Sequence, residues 1–232
     1  MAERISRALL PDNTSVADDG MAIFGGVRTD DLVTQFGTPL FVYDEDHIRK
    51  RCQEAVKAFP DGVSYASKAF LCKAIAKLVH EEGMGLDVAT IGEAYIALQS
   101  GVPASDLTLH GNNKSMEELR YAADNGIGKV VIDSFDEIDK IEHLYATTRK
   151  PIKALVRVTP GVEAYTHKYV TTGQVDSKFG FTVQNGQAGD AIERAKSSGA
   201  IDLIGLHAHI GSQIFTSDSF RKSTDIPVSY TH

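Results

Sequence analysis

The sequence has 232 residues, 42% hydrophobic and 24% charged, the balance of a globular chain able to bury a sizeable core rather than of a disordered one. A formal net charge of −7 with no cluster of Lys and Arg argues against a nucleic-acid partner, because neutralising phosphates needs concentrated positive charge. The longest apolar runs, Lys153 to Val158 and Ile201 to Leu206, are strand-sized and far below the roughly 20 residues that cross a bilayer, so no membrane partner is expected.

At the N-terminus, Ala8-Leu9-Leu10 runs directly into Pro11 and a polar stretch, which is not the basic-then-apolar layout of a secretory signal. A cytoplasmic location is expected. Ala22-Ile23-Phe24 and Pro39-Leu40-Phe41-Val42-Tyr43 read as short strands around a polar turn. They suggest that residues 1–40 are an arm belonging to a separate β-domain, with residues 41–222 forming the main domain. Ile48, Cys52, Ala55, Val56 and Phe59 then recur at helical spacing and predict a helix whose apolar stripe is core. Cys52 and Cys72 supply neither a disulfide framework nor a CxxC pair, which fits a reducing compartment.

From here strand-like segments begin near Val63, Gly85, Leu107, Lys129, Lys153 and Leu203, with helical periodicity between most of them. The first four intervals are 22, 22, 22 and 24 residues, close to one minimal βα unit each. That repetition predicts an α/β chain with a parallel barrel or an open doubly wound sheet. Three helix starts carry a hydroxyl three residues before a carboxylate, Thr90 with Glu93, Ser115 with Glu118 and Ser134 with Glu137, the pattern of a capping box. After Ser134, Phe135, Ile138, Ile141 and Leu144 form another core stripe. The fifth interval lengthens to 50 residues and includes a Gly-, Thr- and Tyr-rich stretch from Pro160 to Gly189, a candidate functional loop.

In a barrel, catalytic groups gather where strands end and βα loops begin. Here those positions are polar: Lys68, Asp87, His110, Asp133, Arg157, and the run His207-Ala208-His209-Ile210-Gly211-Ser212. Singly, each has a plainer reading. A strand-end lysine is most often solvated, and Asp133 before Ser134 can simply start a helix. His207 and His209 share a strand face and could take a metal, but no third ligand has suggestive spacing. Arg157, flanked by Val156 and Val158, is harder to dismiss, because a buried guanidinium needs an acceptor. A bound anionic or hydrogen-bonding ligand would supply one. Taken together, a lysine, an arginine, a histidine and a Gly-Ser pair suit a phosphorylated aldehyde cofactor, since a lysine amine condenses with aldehydes and Ser212 with nearby amides can accept a phosphate.

Four motifs, Tyr65-Ala-Ser-Lys-Ala-Phe70, Gly85-Leu-Asp-Val-Ala-Thr90, His110-Gly-Asn-Asn-Lys-Ser115 and His207-Ala-His-Ile-Gly-Ser-Gln213, in this order and spacing, resemble the diaminopimelate decarboxylases. The likeness runs from about Gly37 to Phe220. The segments His167 to Gly173 and Ser177 to Gly180 favour that family over the ornithine and arginine decarboxylases. The resemblance implies an alanine-racemase-like (β/α)8 barrel binding pyridoxal 5'-phosphate, joined to a β-domain in a homodimer. It implies decarboxylation of meso-2,6-diaminopimelate, an amino-acid substrate, to L-lysine and carbon dioxide. By motif matching, Lys68 would be the lysine that carries the cofactor as a Schiff base, and His209 would stack on the cofactor ring. Ser212 would hold the phosphate, Asp87 would sit near Lys68, and Arg157 would line the ring's polar edge. The rival readings are an arginine, ornithine or carboxypolyamine decarboxylase, a non-catalytic pyridoxal-phosphate carrier, and a cofactor-free aldolase using Lys68.

The likeness ends after the sixth strand. Residues 223–232, from which helical periodicity is expected to lapse at Asp225, read as a tail foreign to the family. The expectation is of an N-terminal fragment of a longer enzyme, inactive alone, with two barrel strands missing and sheet edges open to association.

Overall fold

The computed structural model describes residues 6–161, 179–211 and 217–228. They fall into two compact units, one of Met1–Ser64 with Leu78–Met84 and the other of Tyr65–Lys77 with Gly85–His232.

In the first unit, β1 (Ser15–Val16), β2 (Ala22–Phe24) and β3 (Val27–Arg28) form an antiparallel sheet in chain order. The turn between β2 and β3 is Gly25-Gly26, with φ of 55° and 82°. Left-handed conformations at both positions suit a tight hairpin, and glycine adopts them without steric cost. Helix α1 (Thr29–Phe36) follows, then α2 (Glu45–Ala58), which is capped by the Asp44 carboxylate accepting from His47 N at 3.0 Å. Arg49 on α2 binds Glu45, Glu81 and Glu82 at 2.9, 3.0 and 2.7 Å.

Two expectations fail here. Pro39 to Tyr43 has no regular structure, and Phe41 is 86% exposed. A strand needs a ladder neighbour, and none lies beside these residues among those described. On α2, Cys52 alone of the expected core stripe is buried, while Phe59, just past the helix end, is 63% exposed. The compact unit holding the N-terminal arm also extends well past residue 40, taking in α2.

The second unit is built on a sheet whose strands run β10-β8-β7-β6-β5-β4. They are β4 (Ser64–Ala66), β5 (Gly85–Val88), β6 (Leu107–Leu109), β7 (Lys129–Ile132), β8 (Ile152–Thr159) and β10 (Ile201–Ala208), with the short β9 (Phe181–Thr182) added beside β8. The registered pairs from β5 to β10 are parallel, and a helix follows most strands: α3 (Lys73–Glu81), α4 (Ile91–Gln99), α5 (Met116–Asn125), α6 (Phe135–Thr148), α7 (Gln187–Ser197) and α8 (Ser217–Val228). This is an incomplete (β/α)8 barrel, with all six main strands where the apolar segments of the sequence placed them. Leu86, Val88, Leu107, Val130, Ile132, Ala154 and Val156 are fully buried, as parallel strands covered on both faces require. Each large aliphatic side chain so buried contributes roughly 1.5–3 kcal/mol. On α6, Ile138, Ile141 and Leu144 are buried as expected, and Phe135 packs edge-on against Phe181 at 4.8 Å between ring centroids.

The three helix starts diverge in detail. Ser115 and Glu118 make the reciprocal capping box. Thr90 accepts from Glu93 N, but the Glu93 carboxylate accepts from Ala89 N instead of closing the box. Ser134 accepts from Glu137 N at 3.3 Å, and the Glu137 carboxylate turns inward to Lys114. At the other end, α8 runs to Val228, so residues 223–228 continue a helix where a foreign tail was expected. Pro227 lies in its last turn, where a missing N–H removes one i→i−4 bond before the helix would stop anyway.

Candidate active site

The C-terminal ends of the strands carry the chemistry. Lys68 lies two residues beyond β4 on a short loop held at both sides: Ser67 N donates to Asp87 O at 3.0 Å, and the Tyr65 hydroxyl donates to Phe70 O at 2.7 Å. The lysine itself is exposed. A pinned loop with an accessible amine at its tip is the geometry a carbonyl compound needs to reach nitrogen.

On the neighbouring strand, Asp87 has its Oδ1 3.4 Å from Nε2 of His110, which follows β6. His110 N donates to Val88 O at 2.7 Å, fixing the turn. The His110 ring meets the His207 ring edge-on, with centroids 5.3 Å apart. His207 Nδ1 is buried and has no hydrogen-bond partner among the described residues. Burial, reinforced by the charges of His110, Arg157 and His209, pushes the His207 pKa down to about 3. His209, just past β10, is also lowered, first by burial and then by Arg157, Lys68 and His110. These influences place Lys68, Arg157, His110, His207 and His209 in one electrostatic neighbourhood, with Asp87 as its anion.

Arg157 on β8 lies directly beside His207 in the strand register. Its acceptor belongs to the protein: Nη1 donates to Asp133 Oδ2 at 3.1 Å, and the guanidinium sits 4.7 Å over the Phe179 ring. Asp133 Oδ1 accepts from Gly180 N. The carboxylate is therefore engaged on both oxygens and is 1% exposed, against 12% for Arg157. A ligand was the acceptor expected from sequence; the buried charge is compensated by Asp133, as low local polarity demands. Beside His209 a cavity of about 370 Å³ opens between the end of β10 and α8, lined by Leu206 to Gly211 with Phe220, Ser223 and Thr224. Ser212 and the stretches His167 to Gly173 and Ser177 to Lys178 lie outside the described residues.

Residues 45–227, well over half of the chain, match the family model for the pyridoxal-dependent decarboxylase, pyridoxal binding domain. The chain belongs to this family. Among curated relatives, the chain is 50% identical to diaminopimelate decarboxylase of Bacillus subtilis over 201 residues, covering 84% of this chain and 46% of that protein. It is 44% identical to the enzyme of Corynebacterium efficiens over 212 residues, covering 90% and 46% respectively. Among solved structures, diaminopimelate decarboxylase from M. jannaschii in complex with L-lysine superposes with a TM-score of 0.85 at 30% identity, covering 95% of this chain and 52% of that one. The chain thus spans about half the length of the relatives it matches. The family match continues to residue 227, in keeping with the extent of α8.

Pyridoxal phosphate is the cofactor of this family, and the residues present fit it. The pyridoxal-binding domain offers an exposed primary amine for the aldehyde. Lys68 and Arg157 are cations beside imidazoles that burial keeps neutral, and the buried His207 Nδ1 remains a polar atom to satisfy. Sequence reasoning named Lys68, Asp87, Arg157 and His209, and the structure brings them together. It gave no role to Asp133 or His110, which the structure sets against Arg157 and Asp87, and did not anticipate that His207 is the more buried of the histidine pair.

Proposed function

We propose that this chain is the cofactor-binding portion of a carboxy-lyase that converts meso-2,6-diaminopimelate to L-lysine and carbon dioxide. The observation that carries this reading is the exposed Lys68 amine within the electrostatic reach of His209, on a chain 44–50% identical to proteins named for that activity. When bound, the cofactor supplies an electron sink for the pair left behind as the substrate carboxylate departs. The protein's own groups do the rest. Lys68 Nζ, exposed just beyond β4, is the primary amine that would hold the cofactor through its aldehyde. His209, held neutral just past β10, would stack on the cofactor ring, Arg157 would line its polar edge, Asp87 would sit near Lys68, and Ser212 would hold the phosphate. Fixed groups of this kind act through orientation and prearranged charge.

The activity is proposed for a longer protein, a homodimer that completes both the barrel built on the second unit and a β-domain to which the N-terminal arm contributes. The test on the present chain is incubation with pyridoxal phosphate, borohydride reduction and peptide mass mapping. Adduct confined to Lys68, and lost in Lys68→Ala, is the expected result; adduct spread over surface lysines would refute the site. On the longer protein, a panel of diaminopimelate, arginine and ornithine decides the substrate, with carbon dioxide release expected from diaminopimelate.

A further inference from the structure

Directly behind the strand ends lies a buried ion pair that the functional reading does not use. Lys114, in the turn between β6 and α5, and Glu137, in the first turn of α6, are 1% and 0% exposed at their side chains, with Lys114 Nζ 2.8 Å from Glu137 Oε2. The carboxylate also accepts from two backbone amides, Asp133 N at 2.9 Å and Lys114 N at 3.1 Å. Lys114 Nζ donates back to Gly111 O at 2.6 Å, and Lys140 Nζ caps Lys114 O at 2.9 Å. The other charges acting on the ammonium are Asp133 and Glu118.

Stability is a poor reason for such a pair. Removing two charges from water costs so much that well-packed apolar residues of similar volume usually serve the fold as well or better. What apolar residues cannot do is accept from backbone N–H groups. The two turns tied here are those that carry the cluster at the strand ends. His110 immediately precedes Gly111 and meets Asp87 and His207, and Asp133, whose amide Glu137 holds, meets Arg157. Resting on the assignment of these strand ends as the cofactor site, we infer that Glu137, neutralised by Lys114, is a positioning residue: its two carboxylate oxygens set the β6–α5 and β7–α6 turns so that Asp133 receives Arg157 and His110 faces Asp87.

Two double variants separate this role from a purely structural one. Lys114→Met with Glu137→Gln removes both charges but keeps one side-chain oxygen, which can accept from one of the two amides. Lys114→Met with Glu137→Leu removes the acceptor too. The readouts are urea unfolding, the NMR signals of the Arg157 guanidinium and of the His110 and His207 rings in the cofactor-free chain, and pyridoxal phosphate uptake at Lys68. The expected result is cooperative unfolding in both, Arg157 and His110 signals that stay nearer to native in the Met/Gln variant, and larger shifts with at least about tenfold slower uptake in the Met/Leu variant. Native signals in a folded Met/Leu variant would overturn the inference. So would loss of cooperative unfolding in both, since the pair would then be needed for the fold itself. Failure of the unmodified chain to take up cofactor at Lys68 would count against the functional reading alone, because the ring and guanidinium signals are read without cofactor.

Discussion

At the scale of single residues, the site is governed by what burial does to charge. His207 has a folded-state pKa near 3 against an ordinary value of 6.5. Between these values the unfolded chain binds a proton that the folded chain refuses, so stability is undiminished above the ordinary value and is lost as pH falls toward the folded one. The full shift corresponds to on the order of 5 kcal/mol. Urea midpoints measured between about pH 7.5 and about pH 5 are expected to fall with acidification, and His207→Gln is expected to flatten that slope. An unchanged slope in the variant would remove His207 as the cause. Arg157 and Asp133 make the complementary case. Asp133→Ala would strand a guanidinium that is 12% exposed, with an expected loss of about 3–5 kcal/mol. Asp139→Ala, which breaks the exposed Arg194–Asp139 pair, is expected to cost under about 1 kcal/mol. Equal losses in unfolding experiments would contradict this ranking.

At the scale of elements, the helix starts and the turns set the strand ends in place. The reciprocal box at Ser115 and Glu118 satisfies backbone donors at the start of α5, and Ser115→Ala is expected to lower stability by about 1 kcal/mol. The approach to β7 is tighter. A side chain at Gly128 would drive into the carbonyl of Ser105, in the turn beside it, while Gly128 N already donates to Ala104 O at 2.8 Å. Gly128→Ala is therefore expected to destabilise by roughly 1–3 kcal/mol through overpacking, a larger loss than the cap variant gives in the same urea assay. A smaller one would mean the Ala104–Asp106 turn moves aside freely.

At the scale of the whole molecule, the sheet of the second unit ends at β4 on one side and β10 on the other. β10 pairs with β8 along one edge, and its Ile204 side chain is 46% exposed. Among the described residues no strand pairs with the far edge of β10, and an open apolar edge recruits further strands. The 232-residue polypeptide is expected to self-associate with rising concentration in light scattering, and Ile204→Lys to suppress that association. A monomer at every concentration would refute the expectation. The net charge of −7 opposes association only weakly at ordinary ionic strength, because surface charges are screened within about 8–10 Å.

The amino-acid sequence alone determined the six main strands of the second unit, the helix starts and caps at Thr90, Ser115 and Ser134, and the motifs that single out Lys68. All of these rest on period-2 or period-3.6 patterns or on hydrogen bonds a few residues apart, so they are written locally. The tertiary structure decided the partners. Asp133 meets Arg157 across 24 positions and Lys114 meets Glu137 across 23, through strand register that no local pattern encodes. Glu137 shows the contest directly: its spacing from Ser134 spells a capping box, yet a buried ammonium and two amides without other acceptors outbid the cap. Pro39 to Tyr43 shows the converse, an apolar run beside which no strand lies among the described residues. Local sequence specifies which elements form; which charges are neutralised, and hence which groups remain free for chemistry, is settled only when distant strands close against one another.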